Sequence, residues 1–87
     1  MLTLATGVQI LTDPATGRGT LITPDTGVWT LNPTAVVALT ELAGGGTVAR
    51  TEEELARRWP TIPIASLRAD LDALLGELQE AGAVIRQ

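Results

Sequence analysis

The side chains that could carry chemistry in this 87-residue chain are ten carboxylates, six arginines and thirteen threonines. Cysteine, histidine, lysine, tyrosine and phenylalanine are absent from the sequence. A thiol nucleophile, a disulfide, a thiolate or imidazole metal site and a Ser-His-Asp triad are therefore excluded within this chain. We expect a protein that is not an enzyme and that holds neither a cofactor nor a metal ion.

The spacing of the remaining groups also argues against catalysis. Asp70 and Asp72 lie two residues apart on a predicted helix, so their side chains diverge and cannot share a substrate. The three glutamates at 52–54 are explained by a helix start, because acidic groups there favour the helix dipole. The glycines at 44–46 follow a predicted helix and lack a subsequent Gly-Lys-Ser or Gly-Lys-Thr, so they do not form a phosphate-binding loop.

The net negative charge of the chain argues against partners that carry many phosphate groups. The formal net charge is −4, and an acidic surface repels phosphate groups. No stretch reaches the roughly 18 apolar residues of a membrane span, and residues 1–7 lack the basic flank of a signal peptide. We expect a cytoplasmic protein that binds neither nucleic acid nor a membrane.

The first third of the chain predicts a small sheet. A Thr-Gly pair recurs at ten-residue intervals, at 6–7, 16–17 and 26–27, and separates segments rich in strand-forming residues. Proline, aspartate and glycine between those segments are typical of tight turns. The pattern predicts a three-stranded antiparallel meander over about residues 8–31.

Three helices are predicted after the sheet. The first covers about 33–43, with Asn32 as its N-cap and Pro33 at its first position. The second covers about 51–59, where Thr51 and Glu54 have the spacing of a capping box. The third covers about 63–81 and places apolar residues on one stripe: Ile64, Leu67, Leu71, Leu74, Leu75 and Leu78. Val84 and Ile85 could add a short extended segment.

These elements predict one α+β domain over residues 1–87, in which a three-stranded meander precedes three helices. The short connection between the second and third helices makes the domain winged helix-turn-helix-like. Outside its leucine stripe, the third helix offers one arginine against two acids, with no Asn, Gln or Lys near its N-terminus to read base edges. Sequence-specific DNA binding is therefore disfavoured, and a DNA-binding regulator is kept as an alternative.

The last predicted strand, 28–31, is an edge of the meander without the usual protection. It contains no lysine, proline or inward charge, and it includes Trp29. One interpretation is that this edge accepts an extended peptide as an extra strand. The other is that Trp29 packs inside and that loops around Pro24 cover the edge. The residues alone leave both interpretations open.

Several segments together resemble one protein family. They are Gly17-Arg18 before a strand, Val28-Trp29-Thr30-Leu31-Asn32-Pro33-Thr34 entering a helix, Arg57-Arg58-Trp59-Pro60, Leu67-Arg68-Ala69-Asp70-Leu71 and Leu78-Gln79-Glu80-Ala81-Gly82. Over about residues 8–85 the chain resembles the PqqD-like peptide chaperones, or RiPP recognition elements. In length and style it is most similar to the stand-alone type of lasso-peptide biosynthesis.

The resemblance implies a non-catalytic adaptor that binds the leader segment of a ribosomally synthesised precursor peptide by β-strand addition. It also implies separate partners, namely a leader peptidase of the cysteine-protease type and, as a further candidate, the ATP-dependent macrolactam synthetase, or lasso cyclase. The alternatives are the winged-helix DNA-binding regulator already described and a dimerising subunit of another complex, whose apolar edge closes a homodimer.

The resemblance also assigns residues to the binding site. The strand that pairs with the leader would be Val28, Trp29, Thr30 and Leu31, and the helical wall would be Leu67, Asp70, Leu71 and Leu74. Asp70 would accept a hydrogen bond from the leader or cap local backbone, and Leu71 and Leu75 are alternatively core residues. Ile62 stands where relatives often have Asp before Pro63, so Ile62 or Ile64 is expected to extend the apolar groove. Arg68 would meet an acidic leader side chain.

Overall fold

The computed structural model describes residues 2–86, so Met1 and Gln87, the ends of the predicted domain, lie outside the described residues. Its elements in chain order are β1 (Leu2–Leu4), β2 (Gln9–Thr12), β3 (Gly19–Ile22), β4 (Val28–Leu31), α1 (Pro33–Ala43), α2 (Val48–Arg58), α3 (Ile64–Glu80) and β5 (Val84–Arg86). The α+β class, with a three-stranded antiparallel sheet and three helices, is confirmed.

The predicted meander forms the larger sheet, in the order β2-β3-β4 with both pairs antiparallel. Leu21 at its centre faces Ile10 on one side and Trp29 on the other, and it is fully buried. Because side chains alternate along a strand, Trp29 and Leu31 share this inward face, whereas Val28 and Thr30 point outward. The sheet therefore packs one face against the helices and leaves the other exposed.

A second, two-stranded sheet pairs β1 with β5, with Leu4 opposite Val84. The extended segment at Val84 and Ile85 was predicted, but β1 was not. Its partner lies at the other end of the chain, so no local turn connects the two strands. Only the alternation Leu2-Thr3-Leu4 could have indicated it, and three residues give too short a pattern.

The N-terminal cap of α1 agrees with the sequence, but that of α2 does not. The amide of Ala35 donates to the Asn32 side chain at 2.9 Å, as expected of an N-cap. Helix α2 begins at Val48, and its cap is Thr47, whose hydroxyl accepts from the Arg50 amide at 3.1 Å. The predicted capping box is therefore wrong.

The two threonines explain the error in α2. Thr51 lies one turn inside the helix, fully buried, and its hydroxyl donates to the Thr47 carbonyl at 2.9 Å. Thr47 and Thr51 both precede helix-forming residues, so local sequence cannot rank the two possible starts. Burial of Thr51 against the core decides between them.

The third helix contributes a row of leucines to the core. Leu67, Leu71, Leu75 and Leu78 are buried, and they pack with residues of the sheet and of α1 in one cluster. Leu74 is half-buried against that cluster, and Ile64 is exposed. The predicted stripe is thus correct as a helix face, although its first residue, Ile64, and Leu74 at its margin are not part of the buried core.

Glu54 predicts a change in acid stability. Hydrogen bonds from Arg57 and Arg58, both at 2.6 Å, lower the pKa of its carboxyl from 4.5 to about 2. A depressed folded-state pKa stabilises the fold above the unfolded value, and that contribution is lost as the pH falls through the folded value. We expect Glu54→Gln to flatten the decline in unfolding free energy between about pH 4.5 and 2.

Urea unfolding of both proteins across that pH range measures this difference. Glu77→Gln is the control, because Glu77 forms no ion pair with any residue that the structure describes. An unchanged slope in Glu54→Gln, or an equal change in the control, would contradict the assignment.

The β3–β4 turn contains a residue whose backbone conformation is unfavourable, so that a substitution there should stabilise the fold. Thr26 has φ = 70°, and it is the one non-glycine residue with positive φ in the described range. A β-branched side chain in this conformation costs about 1–2 kcal/mol, whereas glycine adopts it freely but loses more chain entropy. We expect Thr26→Gly to raise the unfolding free energy by about 1 kcal/mol, measured by thermal or urea unfolding. Thr16→Gly, in the other hairpin turn, should give no gain.

Candidate functional site

A groove of about 340 Å³ opens between β4 and α3. This volume lies within the range of small-ligand pockets. Its lining combines apolar side chains from three helices with a polar margin. The lining residues are Arg18, Thr30, Leu31, Asn32, Thr34, Ala35, Ala38, Leu55, Leu67, Asp70, Leu71 and Leu74.

The β4 side of the groove is an unpaired strand edge. In the described residues β4 has β3 as its single neighbour. The Thr23 amide donates to the Gly27 carbonyl at 2.9 Å, which makes that pair a hydrogen-bonded one. Hydrogen-bonded and non-hydrogen-bonded pairs alternate along an antiparallel ladder, so Val28 and Thr30 belong to non-hydrogen-bonded pairs with β3. Their amides and carbonyls therefore point to the free edge, beside the groove.

The four predicted strand residues are divided between three environments. Thr30 and Leu31 line the groove, Leu31 as a buried part of its floor. Trp29 packs against the core from the inward face of the sheet, next to Gly27, so it is not displayed at the edge. Val28 is 64% exposed on the outer face and does not line the groove. Of the two interpretations of Trp29, the inward one is correct, and the edge is nevertheless open.

The four residues predicted as a helical wall lie together on the α3 side of the groove. Leu67, Asp70, Leu71 and Leu74 all line the groove, as the spacing i, i+3, i+4, i+7 requires for one helix face. Leu67 and Leu71 are each 3% exposed, so they serve the core and the groove floor together. Leu74 is half-buried and forms the rim.

Two predicted site residues on α3 lie elsewhere. Arg68 donates to Glu52 of α2 at 3.1 Å in an ion pair, and it does not line the groove. Ile64 is 40% exposed and also lies outside the lining. Residues 64 and 68 are one turn apart, so they share a face that is rotated away from the face of Asp70 and Leu74.

Sequence reasoning missed the polar and small residues that complete the groove. Asn32 and Thr34 were predicted only as helix-start residues, and the Thr34 hydroxyl donates to Asn32 at 2.9 Å in that structural role. Arg18, which precedes β3, lines the groove although it is distant in sequence from β4 and α3. Its one sequence signal was its place beside Gly17 in the family-like segment.

The described part of the chain contains no cluster of three residues suited to hold a metal ion. Among its helices, none has the length and apolar character needed to cross a membrane. For binding, the groove offers apolar side chains and a free strand edge.

Comparison with known families agrees with this geometry. The family model described as coenzyme PQQ synthesis protein D (PqqD) matches residues 10–84, which include β4, α3 and the groove between them. The chain belongs to the PqqD family. The resemblance seen in the sequence is confirmed, and the PqqD family comprises non-catalytic chaperones that bind precursor peptides and partner biosynthetic enzymes. No curated protein and no solved structure matches this PqqD-family chain.

Proposed function

We propose that this chain is an adaptor of lasso-peptide biosynthesis that binds the leader segment of a precursor peptide. The leader adds as a strand to the free edge of β4 and lies against α3. The observation that carries this proposal is that an unpaired strand edge and an apolar groove lie side by side. An edge alone would bind any strand, and a groove alone would bind any apolar group; together they favour an extended apolar peptide.

The contacts of such a leader follow from the geometry of the groove. Val28 and Thr30 supply backbone donors and acceptors for the leader's own backbone. Alternate leader side chains would then point toward α3, where Leu67, Leu71 and Leu74 form an apolar surface. Backbone pairing gives affinity, and the side chains that enter the groove give specificity.

We propose that the domain is winged helix-turn-helix-like and that it serves peptide binding instead of DNA binding. In the described residues, Arg57 and Arg58 both pair with Glu54, and Arg68 pairs with Glu52. These pairs neutralise three of the four arginines of α2 and α3, leaving Arg50 without an ion pair among the described residues, on a chain whose net charge is −4. DNA binding would require free cations to displace counterions from phosphates.

The adaptor would act in the cytoplasm together with separate enzymes. A leader peptidase of the cysteine-protease type would cleave the bound precursor, and an ATP-dependent macrolactam synthetase would close the lasso ring. These 87 residues contain neither cysteine nor histidine, so they cannot themselves form a thiol–imidazole peptidase centre.

Fluorescence titration tests the proposed function. The probe is a labelled leader segment of a precursor peptide encoded beside the gene for this chain, at low and high salt. We expect saturable binding that tolerates salt, that unlabelled leader displaces, and that a scrambled sequence lacks. Binding of duplex DNA that weakens steeply with salt would support the regulator instead. Self-association without peptide, measured by sedimentation, would support the dimerising subunit.

A further inference from the structure

We infer that Arg18 makes the groove selective for a peptide with an acidic side chain next to the segment that pairs with β4. This inference rests on the proposed function, because it names the chemistry of the peptide that the same groove accepts. Arg18 is the one cationic residue in the groove lining, and Asp70 is the one anionic residue there.

Arg18 is available to a ligand. It is exposed, and it forms no ion pair with any residue in the described range 2–86. Arg57, Arg58 and Arg68, by contrast, are each engaged by a glutamate. A planar guanidinium with free donors binds a carboxylate with two parallel hydrogen bonds, which a neutral side chain cannot reproduce.

The register of the sheet places Arg18 along the groove. Gly19 pairs with Leu31, so Arg18 lies beside the junction where β4 enters α1. The first turn of α1 forms the same end of the groove and contains no acidic residue. An acidic side chain there would meet Arg18 just beyond the ligand residues that pair with Thr30.

Asp70 lies on the other wall of the groove, on α3, and it too forms no ion pair in the described residues. The two unpaired charges therefore lie on opposite walls of the groove. An acidic side chain is favoured on the Arg18 side and is disfavoured against Asp70. Arg68, which was expected to meet an acidic leader side chain, faces α2 and is satisfied by Glu52.

Selection from a display library of random linear peptides tests this assignment without a known precursor. Wild type, Arg18→Glu and Arg50→Glu are selected in parallel. Arg50→Glu is the matched control, because Arg50 is exposed on α2, lies outside the groove lining and undergoes the same charge change. We expect wild type and Arg50→Glu to enrich Asp or Glu at one fixed spacing from the apolar positions. Arg18→Glu should enrich Lys or Arg there instead.

A second measurement uses wild-type protein and therefore does not depend on the folding of a variant. One peptide recovered on wild type is compared with its acid-to-lysine version in a binding titration. We expect the lysine version to bind wild type about threefold to tenfold more weakly and to recover its affinity on Arg18→Glu. The expected change in affinity is modest because Arg18 is exposed to solvent, which weakens an ion pair.

The results of the selection distinguish the role of Arg18 from the peptide-binding function of the groove. Enriched apolar peptides without an acidic position, or with the same acidic position on Arg18→Glu, would overturn the role of Arg18 and leave the peptide-binding function intact. If none of the proteins enriches a peptide motif, both the role of Arg18 and the proposed function fail.

Discussion

Replacing Thr30 with proline should strongly weaken strand addition while leaving the domain folded. The Thr30 amide points to the free edge of β4 and not to β3, so proline removes a donor that the folded chain does not use in its own ladder. Proline is tolerated on edge strands for this reason. A bound leader, however, would lose a backbone partner and would meet the proline ring at the edge.

The size of the effect follows from the hydrogen bond that is lost. A leader carbonyl left unpaired in the groove costs about 1–3 kcal/mol, so we expect leader affinity to fall by a factor of about 5 to 150. Titration of labelled leader measures this loss, and thermal unfolding confirms that the variant remains folded.

The opposite edge of the same sheet provides a matched control. The Asp13 amide donates to the Arg18 carbonyl at 2.8 Å, and alternation from that pair makes Thr12 and Gly19 a non-hydrogen-bonded pair. The amide of Thr12 therefore points away from β3, as that of Thr30 does. Thr12→Pro makes the same chemical change at the β2 edge and should leave leader affinity unchanged. Wild-type affinity in Thr30→Pro, or an equal loss in Thr12→Pro, would reject augmentation at β4.

The elements with local signals were predictable from the sequence. Asn32 and Pro33 define the start of α1, and turn residues separate the strands of the meander. The start of α2 was not predictable, because Thr47 and Thr51 carry the same local signal and only burial distinguishes them. Strand β1 was not predictable either, because its pairing with β5 joins residues about eighty positions apart.

In the candidate site, too, the features set by neighbouring residues were predictable, whereas those set by contacts between distant segments were not. The helix face of Leu67, Asp70, Leu71 and Leu74 follows from periodicity, and the structure brings these residues to the groove. Trp29 was open to two interpretations because successive strand residues alternate between the two faces of the sheet, and the sequence does not show which face packs against the core. The position of Arg18 depends on the pairing of β3 with β4, which no short window of sequence contains.

Helix α3 contains adjacent leucines that should respond differently to truncation. Leu74 is half-buried at the groove rim, whereas Leu75 is 4% exposed inside the core. Consecutive helix residues point about 100° apart, so the two side chains serve different surfaces. Their substitutions therefore distinguish binding from folding within one turn of one helix.

We expect Leu75→Ala to lower the free energy of unfolding by about 2–5 kcal/mol, because it leaves a cavity among buried leucines. We expect Leu74→Ala to cost much less stability but to weaken leader binding by about tenfold, or about 1.4 kcal/mol. Urea unfolding and leader titration on both variants measure the two effects, with binding compared under conditions where each protein is folded. A large stability loss in Leu74→Ala with unchanged affinity would show that Leu74 belongs to the core and that the leader does not contact the α3 rim. The opposite pattern would place the apolar anchor of the leader at this side chain, because the neighbouring Leu75 differs in burial and not in chemistry.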